Sequence, residues 1–482
     1  MENEQKAYRN IFKATALFGG VQVFNILLSL VRTKIVAVLL GVSGIGLMGL
    51  LTNTLAIISS ITRLGVDQGA IRDVSMSVGN GKIGEIATVV KRWSLFVGLL
   101  GAIVTLSLAP QLSLWSFGTD KYTLAFCWLA CTMFFDALTK GQLAIFQGLR
   151  KLRTLAKSNL IGATVSLILS IPIYYIWGVD GIVPAMIITY VCSFLISSFY
   201  YRKEKITEIP LTVNETVHKG LGIMKLGVIL TISGFITTLV SYLFNIYLSS
   251  NGGLQDVGLY QSGFNLIEKY VGLIFVAMGT DYYPRLAEVN HDNKKIETIM
   301  NQQAIISFLI LGPVICLFLP TAPLIIRLLL SKEFLPILPF LSWAILGILF
   351  KAASWCMGFI FIAKGANKVF IYSEIASSLI ILIFNIIGYN LWNIKGIGIA
   401  FTLSYIFHLI IIITLGSWKF KISYNTESKR IFLFTLLPCI VCFLSSTFTL
   451  GYIYYFTTIL IFLFSAFYSM MELKKRLHLQ KR

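Results

Sequence analysis

The stretch SLVRTKIVAVLLGVSGIGLMGLL (29–51) is almost wholly apolar, yet it carries Arg32 and Lys34 and is punctuated by Gly41, Gly44 and Gly46. Apolar sequence extends on both sides of the glycines for about 20 residues, the length an α-helix needs to cross the hydrocarbon core of a bilayer. The stretch therefore predicts two membrane-crossing helices, 11–40 and 44–64, joined by a short turn. The same pattern recurs at 86–108, 122–147, 152–176, 180–201, 220–249, 256–283, 297–319, 337–362, 368–389, 395–417, 431–446 and 452–471. Composition agrees: 56% of residues are hydrophobic and 13% charged, against about 25% charged in soluble domains. The expected fold class is all-α, a polytopic membrane protein with about fourteen transmembrane helices. The start, MENEQKAYRN, is polar, and no small-residue cleavage site follows the first apolar run, so no signal peptide is expected.

A net charge of +19 invites a nucleic-acid reading, but the placement of the charge argues against it. With a cytoplasmic N-terminus, 31 Lys and Arg fall in the cytoplasmic loops and the span ends that adjoin them, and only Lys121, Arg327, Lys332 and Lys395 on the other side. That asymmetry over short loops is the positive-inside pattern, and it predicts both termini in the cytoplasm. All seven cysteines lie in apolar segments. The Cys439/Cys442 spacing reads as packing rather than zinc or redox chemistry, and no metal or cofactor is expected.

An internal repeat is legible. Lys13 and Lys225 open long spans at an interval of 212, and Ile45-Gly46-Leu47 answers Val257-Gly258-Leu259 at the same interval. Gly181-Ile182 with Ala185 answers Gly396-Ile397 with Ala400 at 215, and Phe146-Gln147-Gly148 answers Ala363-Lys364-Gly365 at 217. Six spans bring the chain back to its starting side, so the copies are parallel repeats. The expected organisation is an N-lobe over 1–205, a C-lobe over 206–420, and two further helices with a basic tail over 421–482. Such an architecture places a substrate cavity between the lobes and suits alternating access.

Ionisable residues inside spans need a reason, since each costs about 2.5–3.5 kcal/mol at a helix centre on insertion scales. Arg32 and Lys34 point about 200° apart on a helix, so they cannot share a face; Arg32 is the candidate for the cavity, Lys34 for snorkelling to headgroups. Asp136 and Lys140 lie one turn apart on one face, open to an intrahelical pair or to a cavity role. Lys351 has no acid three or four residues away, which favours a cavity role. Glu268 and Lys269 are adjacent at mid-depth, so at least one should face inward. Glu374 is expected to pair with Lys364 or Lys368, and His408 to be a satisfied core residue. Cations outnumber acids, which favours an anionic cargo; phosphate and pyrophosphate are what Arg and Lys bind best.

The run IIRLLLSKEFLPILPFLSWAILGILFKAASWCMGFIFIAKGANKVFIYSEI (325–375) resembles the corresponding stretch of the bacterial O-antigen translocases, and RTKIVAVLLGVSGIGLMGLL (32–51) resembles their first hairpin. These are polysaccharide flippases of the multidrug/oligosaccharidyl-lipid/polysaccharide (MOP) exporter superfamily. The related lipid II flippases carry cavity arginines at positions similar to Arg32 and Arg63, and a glutamate where Glu268 precedes Gly279-Thr280-Asp281-Tyr282-Tyr283-Pro284. Lys34, Lys351 and Asn265 depart from that lipid II pattern.

The resemblance implies a flippase, not an enzyme, for undecaprenyl-pyrophosphate-linked oligosaccharide in the bacterial inner membrane. Arg32, Arg63, Lys140, Lys269 and Lys351 are the candidate pyrophosphate ligands. Asp136 and Glu268 are candidates for coupling to H⁺ or Na⁺, and a polysaccharide polymerase and chain-length regulator are the implied partners. A multidrug or cation exporter is the alternative within the superfamily; the embedded cations argue against it. A membrane-bound polymerase or acyltransferase is disfavoured by external loops that are short and sparse in ionisable groups.

Overall fold

The computed structural model describes the backbone of residues 2–77, 81–448 and 451–479. Within these, it leaves out the side chains of residues 2–23, 25, 26, 225, 226, 228–230, 232, 233, 269, 270, 273, 274, 276–281, 367, 447, 448, 451–453 and 477–479. Lys13 and Lys225 thus fall outside the described side chains. The described residues form helices and no strand: α1 (Glu2–Thr62), α2 (Val66–Ser77), α3 (Ile83–Ser107), α4 (Ala109–Phe117), α5 (Thr123–Gly148), α6 (Leu152–Trp177), α7 (Ile182–Lys203), α8 (Val213–Glu288), α9 (Asn293–Leu329), α10 (Leu338–Ala363), α11 (Asn367–Phe420), α12 (Thr426–Phe448) and α13 (Gly451–Leu479). Nine described stretches are long and apolar enough to cross a membrane, and three of them contain a break that splits them in two. With α8, itself broken at Gly253, the all-α polytopic expectation of about fourteen crossings holds.

The breaks explain why glycine punctuates the opening stretch. Gly41 has φ 67° and ψ −169°; Gly253, its counterpart at the interval of 212, has φ 68° and ψ −172°. This left-handed backbone is open to glycine and strained for other residues. The helices that follow then cross at contact distance. A Cβ on Gly46 would sit 1.9 Å from the Leu254 carbonyl oxygen, and one on Gly258 would sit 2.0 Å from that of Val42. Val42 and Leu254 are also 212 apart, so the contact maps onto itself when the interval is applied.

A second interval of 215 governs the later helices. α5 and α10 begin that far apart, as do α6 and α11. Arg150 (φ 54°) answers Gly365 (φ 66°). Gly178 (φ 53°, ψ −127°) answers Asn393 (φ 50°, ψ −139°), and each of these two is preceded by a tryptophan. Asparagine can stand in for glycine there because its short polar side chain tolerates positive φ. The sequence match at 217 is corrected by two residues: Phe146 corresponds to Phe361 and Gly148 to Ala363.

The chain divides into two compact units, Met1–Gly258 and Leu259–Arg482. In the first, α3 packs on α5, α5 on α7, and α6 on α7 and α1. One end of this unit is closed by Ala70, Val74, Val89, Val90, Ala144, Ile145 and Ile223, all buried. Polar ties hold the same end. Lys219 reaches Glu85 at 2.5 Å, Arg92 donates to the Leu211 carbonyl at 2.7 Å, and Trp93 donates to the Thr216 carbonyl at 3.0 Å.

In the second unit, α10 packs on α11 and α9 on α10, α12 and α13. Phe432 meets Phe308 and Phe350 edge-on, with ring centroids at 5.1 and 5.4 Å. The Tyr282 and Tyr424 hydroxyls donate to the carbonyls of Cys356 and Ala353. Cys316 lies with its sulfur 3.9 Å from that of Cys439, and Cys442 donates to the Cys316 carbonyl. These thiols fill the α9–α12 seam.

Candidate functional site

The first unit encloses a polar cavity of about 510 Å³ lined by the second half of α1, by α2, α5 and α7, and by the first half of α8. Its centre is built by a turn. α1 ends at Thr62, Leu64 and Gly65 take positive φ, and α2 starts at Val66. That reversal sets Asp67 beside Arg63, with Nη1 3.8 Å from Oδ2. The other guanidinium nitrogen, Nη2, is ion-paired with Asp136 of α5, and both side chains of this pair are only 18% exposed. At an effective dielectric near 20 such a contact is worth about 4 kcal/mol of Coulomb attraction, against which desolvation of both groups must be set.

Asp136 is thus taken by Arg63, not by its helical neighbour Lys140. Lys140 lies in the lining, one turn along the same face of α5, and makes no ion pair among the described residues. Two cations and two carboxylates make the lining formally balanced; Arg63 holds both carboxylates in ion pairs, and Lys140, in none, is left within Coulombic reach of Asp67. Around them stand Ser59, Gln68 and Tyr190, which can donate and accept, and Ser60, Thr132 and Thr238, whose hydroxyls donate to carbonyls of their own helices and keep lone pairs to accept from hydroxyl-rich ligands. Tyr190 is within Coulombic reach of both Arg63 and Arg32, but Arg32 is half-buried and does not line the cavity.

The structure therefore brings Arg63, Asp136 and Lys140 together, while Arg32 is not among the lining residues. Lys351 and Glu268 belong to the second unit, and the side chain of Lys269 lies outside the described residues. Lys351 Nζ sits 5.5 Å from the Phe275 ring centroid and 5.4 Å from that of Tyr405. Two aromatic faces are how a mid-span cation is tolerated without an acid beside it. Glu268 is exposed and acts electrostatically on Tyr260.

Two readings are corrected. His408 is buried but neither ring nitrogen has a hydrogen-bond partner; its neighbours one turn earlier on α11 do not supply one, since Tyr405 meets it ring to ring at 6.2 Å and the Ser404 hydroxyl is itself without a partner. Among the described residues Glu374 makes no ion pair with Lys364 or Lys368; Lys364 instead donates to the Asn290 carbonyl at 2.9 Å and lies over the Phe420 ring.

Sequence reasoning missed Asp67, Gln68, Tyr190 and Thr238. Asp67 was recoverable, since it stands four residues after Arg63. Nothing local marks the other three; they join the cavity through tertiary packing alone.

The chain is similar to the lipid II flippase MurJ in an inward closed conformation, with a TM-score of 0.72, 18% identity, and 96% of this chain and 99% of that one covered. It is also similar to a multidrug resistance MATE family transporter of the MOP superfamily in an inward-facing conformation (TM-score 0.69, 16% identity, 85% and 96% covered). A MOP superfamily transporter from Pyrococcus furiosus matches at TM-score 0.60 and 16% identity over 85% and 96% of the two chains. Curated protein sequences offer no match. The family described as polysaccharide biosynthesis protein matches residues 35–339, well over half of the chain. The protein belongs to that family and has the fold of the MOP exporters.

Proposed function

We propose that this protein is a flippase that carries an undecaprenyl-pyrophosphate-linked oligosaccharide, such as an O-antigen repeat unit, from the cytoplasmic to the periplasmic leaflet of the bacterial inner membrane. The observation that carries this reading is the cavity of the first unit. Lys140 stands there in no ion pair among the described residues, beside an Arg63 held in place by two carboxylates, amid hydroxyls that suit sugars. A diphosphate would neutralise Lys140 and compete for Arg63. Membership in a polysaccharide biosynthesis family supports a glycan cargo.

In this reading both termini are cytoplasmic, and lobes 1–205 and 206–420 alternate access, with 421–482 appended. Arg32, Lys351 and Lys269 contribute further positive charge along the path, and the polyprenyl chain stays in lipid. Asp136, released when pyrophosphate takes Arg63, and Glu268 are the groups to carry H⁺ or Na⁺. A polymerase and chain-length regulator would act on the delivered unit. No bond is made or broken, so no catalytic residue is assigned.

The test is a flipping assay in proteoliposomes with a polyprenyl-pyrophosphate glycan, scoring the fraction accessible in the opposite leaflet. Lys140→Ala should slow transport by about tenfold, the effect of losing roughly 1.4 kcal/mol of interaction. Undiminished rates in Lys140→Ala and in Lys140→Ala/Lys351→Met would refute the assignment. A second reading, export of organic cations, is favoured by the two cavity carboxylates. Sensitivity of a deletion strain to cationic drugs, with unchanged surface glycan, would select it.

A further inference from the structure

A second crevice, of about 460 Å³, opens in the first unit between α3, α5, α7 and the segment 204–212, and shares no lining residue with the polar cavity. Its walls are graded. On α7, Phe194, Ser198 and Arg202 follow at intervals of four, so they stand on one face in the order apolar, hydroxyl, cation. On α5, Leu138 is followed four residues on by Gln142. On α3, which runs the opposite way along the crevice, Leu95 and Lys91 repeat the order towards the same end. Four residues rise about 6 Å, so the three tiers span about 12 Å.

Each tier has a distinct chemistry. In the middle, Gln142 donates to the Ser198 hydroxyl at 2.9 Å and accepts from Ser197. Its carboxamide nitrogen carries two hydrogens, so one remains for a ligand oxygen. At the mouth, Lys91 is already held by both oxygens of Glu208 at 3.0 Å, and Glu208 also accepts from the Tyr201 hydroxyl. Arg202 and Lys205 are exposed there and make no ion pair among the described residues. Lys205, with φ 48°, lies in the left-handed turn that follows α7 and lines the crevice. The plain reading of Arg202 is that it complements the C-terminal dipole of α7. That accounts for a cation at the helix end, but not for hydroxyl, amide and apolar tiers aligned beneath it on three helices.

We infer that this crevice binds one anionic glycerophospholipid, with its phosphate between Arg202 and Lys205, its ester oxygens at Gln142 and Ser198, and one acyl chain against Leu95, Leu138 and Phe194. The order phosphate, ester, hydrocarbon is the order of the tiers, and basic pockets between helices are a recurring way to hold anionic headgroups. The site is independent of the cargo proposed above.

The test uses the full chain purified in neutral detergent and native mass spectrometry, with phosphatidylglycerol, phosphatidylcholine and inorganic phosphate as probes. The wild type should retain one phosphatidylglycerol with about tenfold preference over phosphatidylcholine. Arg202→Gln/Lys205→Gln should erase that preference, and Leu138→Trp, which keeps both cations and fills the apolar tier, should lower retention of either lipid. Equal retention of the two lipids, an unchanged preference in the double variant, or displacement of lipid by millimolar inorganic phosphate would overturn the inference. The cation variant alters exposed side chains only, so it decides the matter even where Leu138→Trp fails to fold.

Discussion

Arg63 is the hub of three charges, and removing it is a different perturbation from removing either partner. Arg63→Ala leaves Asp136, 18% exposed, and Asp67 facing the same cavity with no guanidinium between them. Breaking a buried pair on one side costs about 3–5 kcal/mol, and the water-accessible cavity argues for the lower end, about 3 kcal/mol. Asp136→Asn is milder. Arg63 keeps Asp67 at 3.8 Å and can donate to the new carboxamide, so about 1–2 kcal/mol is expected, the scale of one weakened charged hydrogen bond. The double variant strands neither member of the Arg63–Asp136 pair, so it should be more stable than the sum of the single losses by about 1–2 kcal/mol. The measurement is reversible unfolding in mixed micelles, followed by tryptophan fluorescence, for the four proteins of the cycle. Equal losses in the two single variants, or additivity within about 0.5 kcal/mol, would refute the hub arrangement.

Other outcomes follow from the geometry. Gly46→Val or Gly258→Val should destabilise by at least about 1–3 kcal/mol in thermal melts, because the added carbons meet carbonyl oxygens at 1.9–2.0 Å and backbone cannot step aside as a side chain would. Tyr405→Leu should lower stability by about 1–2 kcal/mol by uncovering one face of Lys351, and adding Lys351→Met should restore most of it; no restoration would mean the ring acts by packing alone. Lys151 and Thr154 donate to Glu204, and these bonds, Lys151 foremost, hold its carboxyl below the usual carboxylate range. A depressed folded-state value contributes stability that is fully present above the unfolded value, about 4.3, and is lost as pH falls through the folded one. Melting temperature should therefore fall less steeply in Glu204→Gln than in the wild type as pH drops from 5 to 3; parallel curves would remove Glu204 from the acid response.

Much of this protein is decided within short stretches of chain. Apolar runs of bilayer length specify the helices because a backbone in lipid must satisfy its own hydrogen bonds. Gly41 and Gly253 specify the breaks because their backbone angles exclude side chains. The matched intervals expose the repeat, although the shift from 217 to 215 needed the backbone to correct it, since one apolar triplet looks much like another. Packing decided the rest. Asp136 could pair with Lys140 on its own helix or with any cation that another helix brought near, and the turn at Leu64–Gly65 brought Arg63. Lys351 looked unpaired because its partners, the rings of Phe275 and Tyr405, lie on other helices far from it along the chain. Tyr190, Gln68 and Thr238 carry no local sign of lining a cavity, and the three-helix grading of the crevice exists only once α3, α5 and α7 lie side by side. Local sequence sets which face of a helix is polar; which face meets which depends on contacts between residues distant in the chain.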